Sequence, residues 1–194
     1  MKRFLCLSLA LIMMLCSFAL VACDDKDDKA PIDSGEDNND NNNTDDKKDE
    51  PTIPEGYKLY DNGNISFAYP DDWTITDGST VLITAGAGNN ITVVYEAKTN
   101  MYEDMTMDDF NEMFVPAYEA MGMTVSNASV NSTTNDNDVK ITKISYKATA
   151  SGVTMKQTLY ITTAGQRTYT VTVTETTNDA TLVKNVFDTL TIVK

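Results

Sequence analysis

Apolar residues recur with a period of two along much of residues 55–194, which is the pattern of half-buried β-strands. Residues 65–69 follow the turn-forming residues 61–64, so we predict a hairpin whose first strand is residues 57–60. Alternation or β-branched content predicts further strands at residues 73–76, 80–84, 91–97, 139–148, 153–162 and 168–174.

The last two of these strands predict a sheet with one wetter face. We expect threonines on much of that face, and we expect one common direction for Val153, Met155, Leu159, Ile161, Tyr169, Val171 and Val173. In residues 139–148 the apolar positions change parity. A bulge near Thr142 and Lys143 would explain the change, and so would a strand that is covered on both faces.

Two segments have a helical period instead. Thr106 can cap the first helix, which should end at Gly122, and Pro116 should bend its axis. Its apolar stripe comprises Phe110, Met113, Phe114, Ala117, Tyr118 and Met121. The second helix begins near Asn178 or Asp179 and carries Leu182, Val183, Val186, Phe187 and Leu190 on one side. An antiparallel sheet with a central and a C-terminal helix predicts an α+β sandwich.

The N-terminal segment has the three parts of a secretory signal: a basic start, an apolar stretch over residues 4–22, and small residues before Cys23. A permanent transmembrane anchor is the alternative, because the apolar stretch is long enough to span a bilayer. Acidic residues rather than a basic stop-transfer cluster follow it, which favours the signal. The string Leu-Val-Ala-Cys at residues 20–23 resembles the lipobox of bacterial lipoproteins.

That resemblance implies cleavage after residue 22 and attachment of a diacylglyceryl group to the Cys23 thiol. It implies a lipoprotein that carries fatty acyl chains such as palmitate. The acyl chains would anchor the protein to the bacterial cell membrane on its extracytoplasmic side. Two acyl chains suffice for stable anchoring without a membrane-binding protein surface. Residues 23–54 hold 12 acids and four lysines but almost no large apolar side chains, so we predict a disordered acidic tether.

Composition excludes several chemistries. The chain has no histidine, and its three cysteines are Cys6 and Cys16 in the predicted signal and Cys23 at the predicted lipid. Nucleophilic Ser-His-Asp or Cys-His systems and the usual zinc sites are therefore absent. The formal net charge of −14 disfavours a nucleic-acid partner. We predict no enzyme, cofactor or metal, although an enzyme that uses carboxylates alone remains an alternative.

Residues 65–75, Ile-Ser-Phe-Ala-Tyr-Pro-Asp-Asp-Trp-Thr-Ile, resemble the opening of PsbP-like domains. In those domains a strand ends in Tyr-Pro and a Trp begins the next strand, as Tyr69, Pro70 and Trp73 do here. The order of strands, central helix, meander and closing helix is also similar over residues 57–194. The resemblance implies a PsbP-like α/β/α sandwich over residues 55–194 that binds partners rather than catalyses. From the residues alone, Tyr69 and Trp73 are expected to supply core area.

Methionines cluster between residues 101 and 123, and we predict a binding surface formed by Met101, Tyr102, Met105 and Met107. Flexible thioether side chains adapt well to a partner, whereas ordinary apolar packing is the alternative role of these methionines. The acidic rim of that surface, Glu103, Asp104, Asp108 and Asp109, favours a basic protein partner. A Cu(I) carrier is an alternative, because Cu(I) prefers soft thioether ligands. The predicted function is thus a membrane-anchored, non-catalytic binding or assembly module.

Overall fold

The computed structural model describes residues 52–193 except Ala87 and Asn178. The predicted signal peptide, Cys23 and nearly all of the predicted tether lie outside the described residues. The described elements, in chain order, are β1 (Tyr57–Asp61), β2 (Ile65–Pro70), β3 (Thr74–Thr76), β4 (Val81–Thr84), β5 (Asn90–Ala97), α1 (Met107–Met113), α2 (Val115–Ala120), β6 (Thr124–Thr134), β7 (Lys140–Ala150), β8 (Val153–Ala164), β9 (Arg167–Glu175), α3 (Ala180–Thr189) and β10 (Thr191–Ile192).

A small antiparallel sheet has the order β1-β2-β10. The predicted hairpin is confirmed, and its turn uses a positive φ of 75° at Gly63, which glycine adopts without strain. Residues 65–69 are buried throughout rather than half-buried as predicted, because β2 lies between two strands and packs against α3. Tyr69 and Trp73 are buried in the core, as expected.

A larger antiparallel sheet has the order β3-β4-β5-β9-β8-β7-β6. Its edge strand β6 was not predicted, and a β-bulge between Ser126 and Ser129 explains why. Val125 pairs with Ala148 and Val130 pairs with Ile144, so the two valines share a face although they are five residues apart. The extra residue of the bulge hides the alternation that identifies a strand.

Two apolar clusters cover opposite faces of this sheet. The first joins it to the small sheet and α3, with Phe67, Val171 and Leu182 at its centre. The second joins it to α1 and α2, through residues such as Phe114 and Leu159. The molecule is therefore α+β, with mostly antiparallel strands and few helices.

The predicted wetter face is wrong. Leu159 lies opposite Thr172, and Tyr160 lies opposite Val171, so the apolar rows of β8 and β9 face opposite sides of the sheet. The threonines of β9 are buried as well, because both faces are covered.

The predicted bulge near Thr142 is also wrong, since β7 keeps a continuous register there. Val139 and Ile141 belong to the first cluster, whereas Ile144 and Tyr146 belong to the second. Burial on both faces, the other explanation for the parity change, is therefore correct.

The central helical segment begins as predicted. Thr106 and Asp109 form a reciprocal capping box, and Gly122 ends the segment with φ +74°. The single bent helix is wrong, however, because the segment breaks at Phe114 into α1 and α2. Pro116 takes the second position of α2, where a missing backbone N–H costs nothing.

The C-terminal helix α3 is confirmed and is fixed at both ends. Asp179 caps its start by accepting a hydrogen bond from the Leu182 backbone N–H at 2.9 Å. At the other end, the Asn135 side-chain amide donates to the carbonyls of Phe187 at 2.8 Å and Leu190 at 2.7 Å. Asn135 lies in the turn between β6 and β7, so this turn and α3 are held together.

Candidate functional site

The segment between β5 and α1, residues 98–106, contains most of the predicted binding residues and is clamped by hydroxyl groups of the large sheet. The Thr142 hydroxyl donates to the Tyr102 carbonyl at 2.6 Å, and the Ser132 hydroxyl donates to the Glu103 carbonyl at 3.1 Å. Thr168 accepts a hydrogen bond from the Thr99 backbone N–H at 3.0 Å. Three different strands, β6, β7 and β9, therefore position this loop.

The predicted methionine surface is only partly at the surface. Tyr102 and Met105 are 3% and 6% exposed and pack in the second apolar cluster, so the expectation that they are accessible is wrong. Met101 and Met107 are partly exposed and pack against the edge of the same cluster. The Thr142 hydroxyl holds the loop backbone against the sheet at Tyr102, and the Tyr102 and Met105 side chains pack into the apolar cluster there.

The predicted acidic rim is exposed. Glu103 and Asp104 lie in the loop, and Asp108 and Asp109 lie in the first turn of α1. Asp109 also accepts hydrogen bonds from the side chain and the backbone N–H of Thr106, which lower the pKa of its carboxyl group. Asp109 is thus partly engaged in capping, whereas the other three carboxylates point to solvent.

A cleft of about 640 Å³ adjoins this loop, at the end of the sheet where β6 and β8 finish and β7 begins. Tyr102, Glu103 and Asp104 line it from the loop. Lys98 and Lys140 also line it, and neither lysine forms an ion pair with a described residue. The cleft therefore presents both signs of charge together with strand-end hydroxyls. Sequence reasoning found the loop but missed the cleft, which depends on how the strand ends meet.

The alternative chemistries gain no geometric support. The adjacent carboxylates Asp71 and Asp72, Glu103 and Asp104, and Asp108 and Asp109 are all exposed. Over residues 52–193, apart from the two residues left out, no three Asp, Glu, His or Cys side chains are grouped to hold a metal ion. Met105, one of the three methionines of the Cu(I) alternative, packs in the apolar cluster.

A buried polar network lies beneath α2, and it was not predicted from the sequence. The Tyr118 and Tyr146 hydroxyls bond to each other, Tyr146 donates to Gln157 at 2.6 Å, and Gln157 donates to Thr174 at 3.2 Å. Burial raises the pKa of Tyr118 to about 12 and that of Tyr146 well above the ordinary value. Both phenols therefore stay protonated at physiological pH, and the network fixes α2 on the sheet.

Comparisons with known proteins give weak similarity only. No family model and no curated protein sequence match the chain. A crystal structure from Bacteroides thetaiotaomicron VPI-5482 is similar with a TM-score of 0.43 and 16% identity, covering 67% of this chain and 45% of that chain. The chain thus spans less than half the length of that protein.

LpqN of Mycobacterium tuberculosis, described as involved in cell envelope biogenesis, is similar with a TM-score of 0.42 and 15% identity. The similarity covers 71% of this chain and 91% of LpqN. The PsbP-like resemblance stays a prediction from the sequence, since no family model matches. Within residues 52–193, none of the helices has the length and apolar character needed to cross a bilayer.

Proposed function

We propose that this chain is a lipid-anchored binding module on the extracytoplasmic side of a bacterial membrane, and that it acts without catalysis. Cys23 would carry the lipid, residues 23–54 would form the tether, and the following domain would bind a protein partner. The observation that carries the binding role is the cleft beside the clamped loop 98–106, which is lined by exposed carboxylates and by two lysines that have no ion pair among the described residues.

The charge pattern at this site supports a polypeptide partner. Glu103, Asp104 and Asp108 favour encounter with a basic surface, because opposite charges steer diffusional association. Lys98 and Lys140 inside the cleft would pair with an acidic group of the same partner. A surface with both charge signs suits a folded protein or a peptide better than a uniformly charged polymer.

The partly exposed Met101 and Met107 supply the apolar component. They flank the buried Tyr102 and Met105, which anchor the loop rather than contact solvent. Thioether side chains at the rim can change rotamer at low cost when a partner approaches. The proposed binding surface therefore keeps only Met101 and Met107 of the four residues that were predicted from the sequence.

The binding role is tested by crosslinking the anchored protein in intact membranes and comparing captured proteins by quantitative mass spectrometry. We expect Glu103→Gln with Asp104→Asn to reduce recovery of a specific partner several-fold. The matched control is Asp71→Asn with Asp72→Asn, which removes the same charge at the corner between β2 and β3. Equal recovery by both double variants would contradict the proposal.

Lipid anchoring is tested separately, because it concerns residues outside the described part of the chain. Cys23→Ala should abolish metabolic labelling with a radioactive or clickable fatty acid and should leave residues 1–22 uncleaved. Labelling that persists in this variant would show that Cys23 is not the attachment point.

A further inference from the structure

A second charged surface lies on strands β6, β7 and β8 of the large sheet. On the side where the first apolar cluster lies, the small sheet and α3 leave β6, the later part of β7 and the start of β8 open to solvent. Ser129, Asn131 and Lys147 are exposed there, and Lys143 and Lys156 are partly exposed. We call the surface formed by Lys143, Lys147 and Lys156 the lysine face.

Strand register places the three lysines on one side of the sheet. Lys147 pairs directly with Lys156, and Lys143 pairs with Tyr160, a residue of the first apolar cluster. Cross-strand partners point to the same face, and residues two apart along a strand do so too. Between the lysines, the hydroxyls of Ser145 and Thr158 are hydrogen-bonded at 3.3 Å.

The close approach of these lysines lowers the stability of the protein when no ligand is bound. Like charges directly opposite each other on neighbouring strands destabilise a sheet. Burial and the positive charge of nearby Lys156 both lower the pKa of the Lys143 amine. The Lys143 ammonium lies over the rings of Tyr160 and Phe187, at 5.7 Å and 5.4 Å from their centroids, which holds it in place.

Neighbouring carboxylates compensate only part of this charge. Glu175 is buried, forms an ion pair with Lys156 at 3.1 Å and accepts a hydrogen bond from the Asp179 backbone N–H. Asp188 is the other acid near Lys143, and it pairs with Lys184 within α3. Lys147 has no ion pair with a described residue. Positive charge that is not fully compensated thus remains around Lys143 and Lys147, in a chain with a net charge of −14.

We propose that the lysine face binds an anionic polysaccharide. Lys143 and Lys147 are four residues apart on β7, which is about 13 Å at the rise of an extended strand. That separation exceeds the reach of one small anion and fits successive charged units of a polymer. The hydroxyl and amide groups of Ser129, Asn131 and Ser145 lie beside the lysines and match a ligand rich in hydroxyl groups.

The ligand is a polysaccharide rather than a lipid headgroup surface because the lysine face is one strip of a domain in which acidic residues outnumber basic ones. A bilayer would meet the acidic surroundings together with the strip, and it would be repelled by them. A free chain can follow the strip alone.

The test is isothermal titration calorimetry of the full chain with polygalacturonate at low and physiological salt. Lys147→Gln should weaken binding about five-fold, the effect expected of one lysine at an anionic surface, and higher salt should weaken binding further. The control variant is Arg167→Gln, which removes the same charge from an exposed position at the opposite end of β9 from Glu175, the partner of Lys156, and should change affinity less than about two-fold.

Lys156 is left unchanged in this experiment, because its removal would leave the buried Glu175 unpaired and destabilise the fold. Equal affinities for wild type and Lys147→Gln would overturn the proposal, as would equal losses in Lys147→Gln and Arg167→Gln. Neutral dextran, polyglutamate and phosphatidylglycerol vesicles serve as competing ligands. Tighter binding to any of these three than to polygalacturonate would also overturn it.

Discussion

The loop 98–106 and the lysine face are both charged surfaces of the same sheet, but they are built differently. Hydroxyls of three strands hold the loop by its backbone, and its carboxylates point freely to solvent. The lysine face lies on regular strands, where register alone fixes which side chains are neighbours. The position of loop 98–106 depends on a few hydrogen bonds, whereas the position of the lysine face depends on the pairing of the strands.

This difference predicts that the two surfaces respond separately to mutation. Loss of a clamping hydroxyl should release the loop and leave the lysine face unchanged. Damage to the framework of the sheet should affect both surfaces, since the cleft and the lysine face share strand β7.

The largest effect is expected for Asn135→Ala, which tests the shared framework. The Asn135 amide donates to the Phe187 and Leu190 carbonyls, and its oxygen accepts hydrogen bonds from the Asn137 and Val139 backbone N–H groups at 3.1 Å. Its loss leaves buried groups without partners, so the free energy of unfolding should fall by about 3 kcal/mol. Denaturant unfolding measures this.

The matched control is Asn131→Ala on the exposed part of β6, which should change the free energy of unfolding by less than about 0.5 kcal/mol. A similar loss in both variants would show that Asn135 does not couple the β6–β7 turn to α3.

A smaller effect is expected for Thr142→Val, which removes the hydrogen bond to the Tyr102 carbonyl while keeping the side-chain volume. The free energy of unfolding should fall by about 1 kcal/mol. Hydrogen exchange of the amides in residues 99–106 should become faster, while exchange in the lysine-face strands stays unchanged. Equal acceleration in residues 143–147 would contradict the separation of the two surfaces.

The smallest effect concerns the capping box beside the loop. Hydrogen bonds from Thr106 lower the pKa of Asp109, so its carboxylate stabilises the folded state above the ordinary aspartate pKa. This stabilisation is lost as the pH falls through the lowered pKa. The melting temperature of wild type should therefore exceed that of Asp109→Asn near neutral pH, and the difference should narrow below about pH 4.

Asp108→Asn is the control for this pH dependence, because Asp108 lies in the same helical turn without the capping hydrogen bonds. A difference that stays constant from neutral to acidic pH for Asp109→Asn would contradict the role given to its carboxylate.

The sequence predicted the strands and helices whose signals are local. The turn at Gly63, the cap at Thr106 and the stripe around Leu182 each depend on neighbours within a few residues, and the structure confirms all three. Strand β6 could not be predicted in this way, since the bulge between Ser126 and Ser129 breaks its alternation.

The candidate sites show the same limit. The loop was recognised from its unusual composition, yet Tyr102 and Met105 are buried among side chains of distant segments, and distant Thr142 holds the Tyr102 carbonyl by a hydrogen bond. The lysine face needs the pairing of Lys147 with Lys156, which lie on separate strands. Neither the cleft nor the lysine face is encoded within a single segment, so both require the strand register.

Site-specific photo-crosslinking in intact cells tests the proposed binding role most directly. A photoreactive residue replaces Asp104 at the cleft, and in a second strain it replaces Asp72. Asp72 is also exposed, but it follows the end of β2 that is remote from the cleft. The cleft lies near the beginning of β2, because Ile192, which pairs with Ile65, lines it. We predict a discrete crosslinked protein from position 104 and none from position 72. The absence of a crosslink from position 104, or the same products from both positions, would contradict a binding site at the loop and cleft.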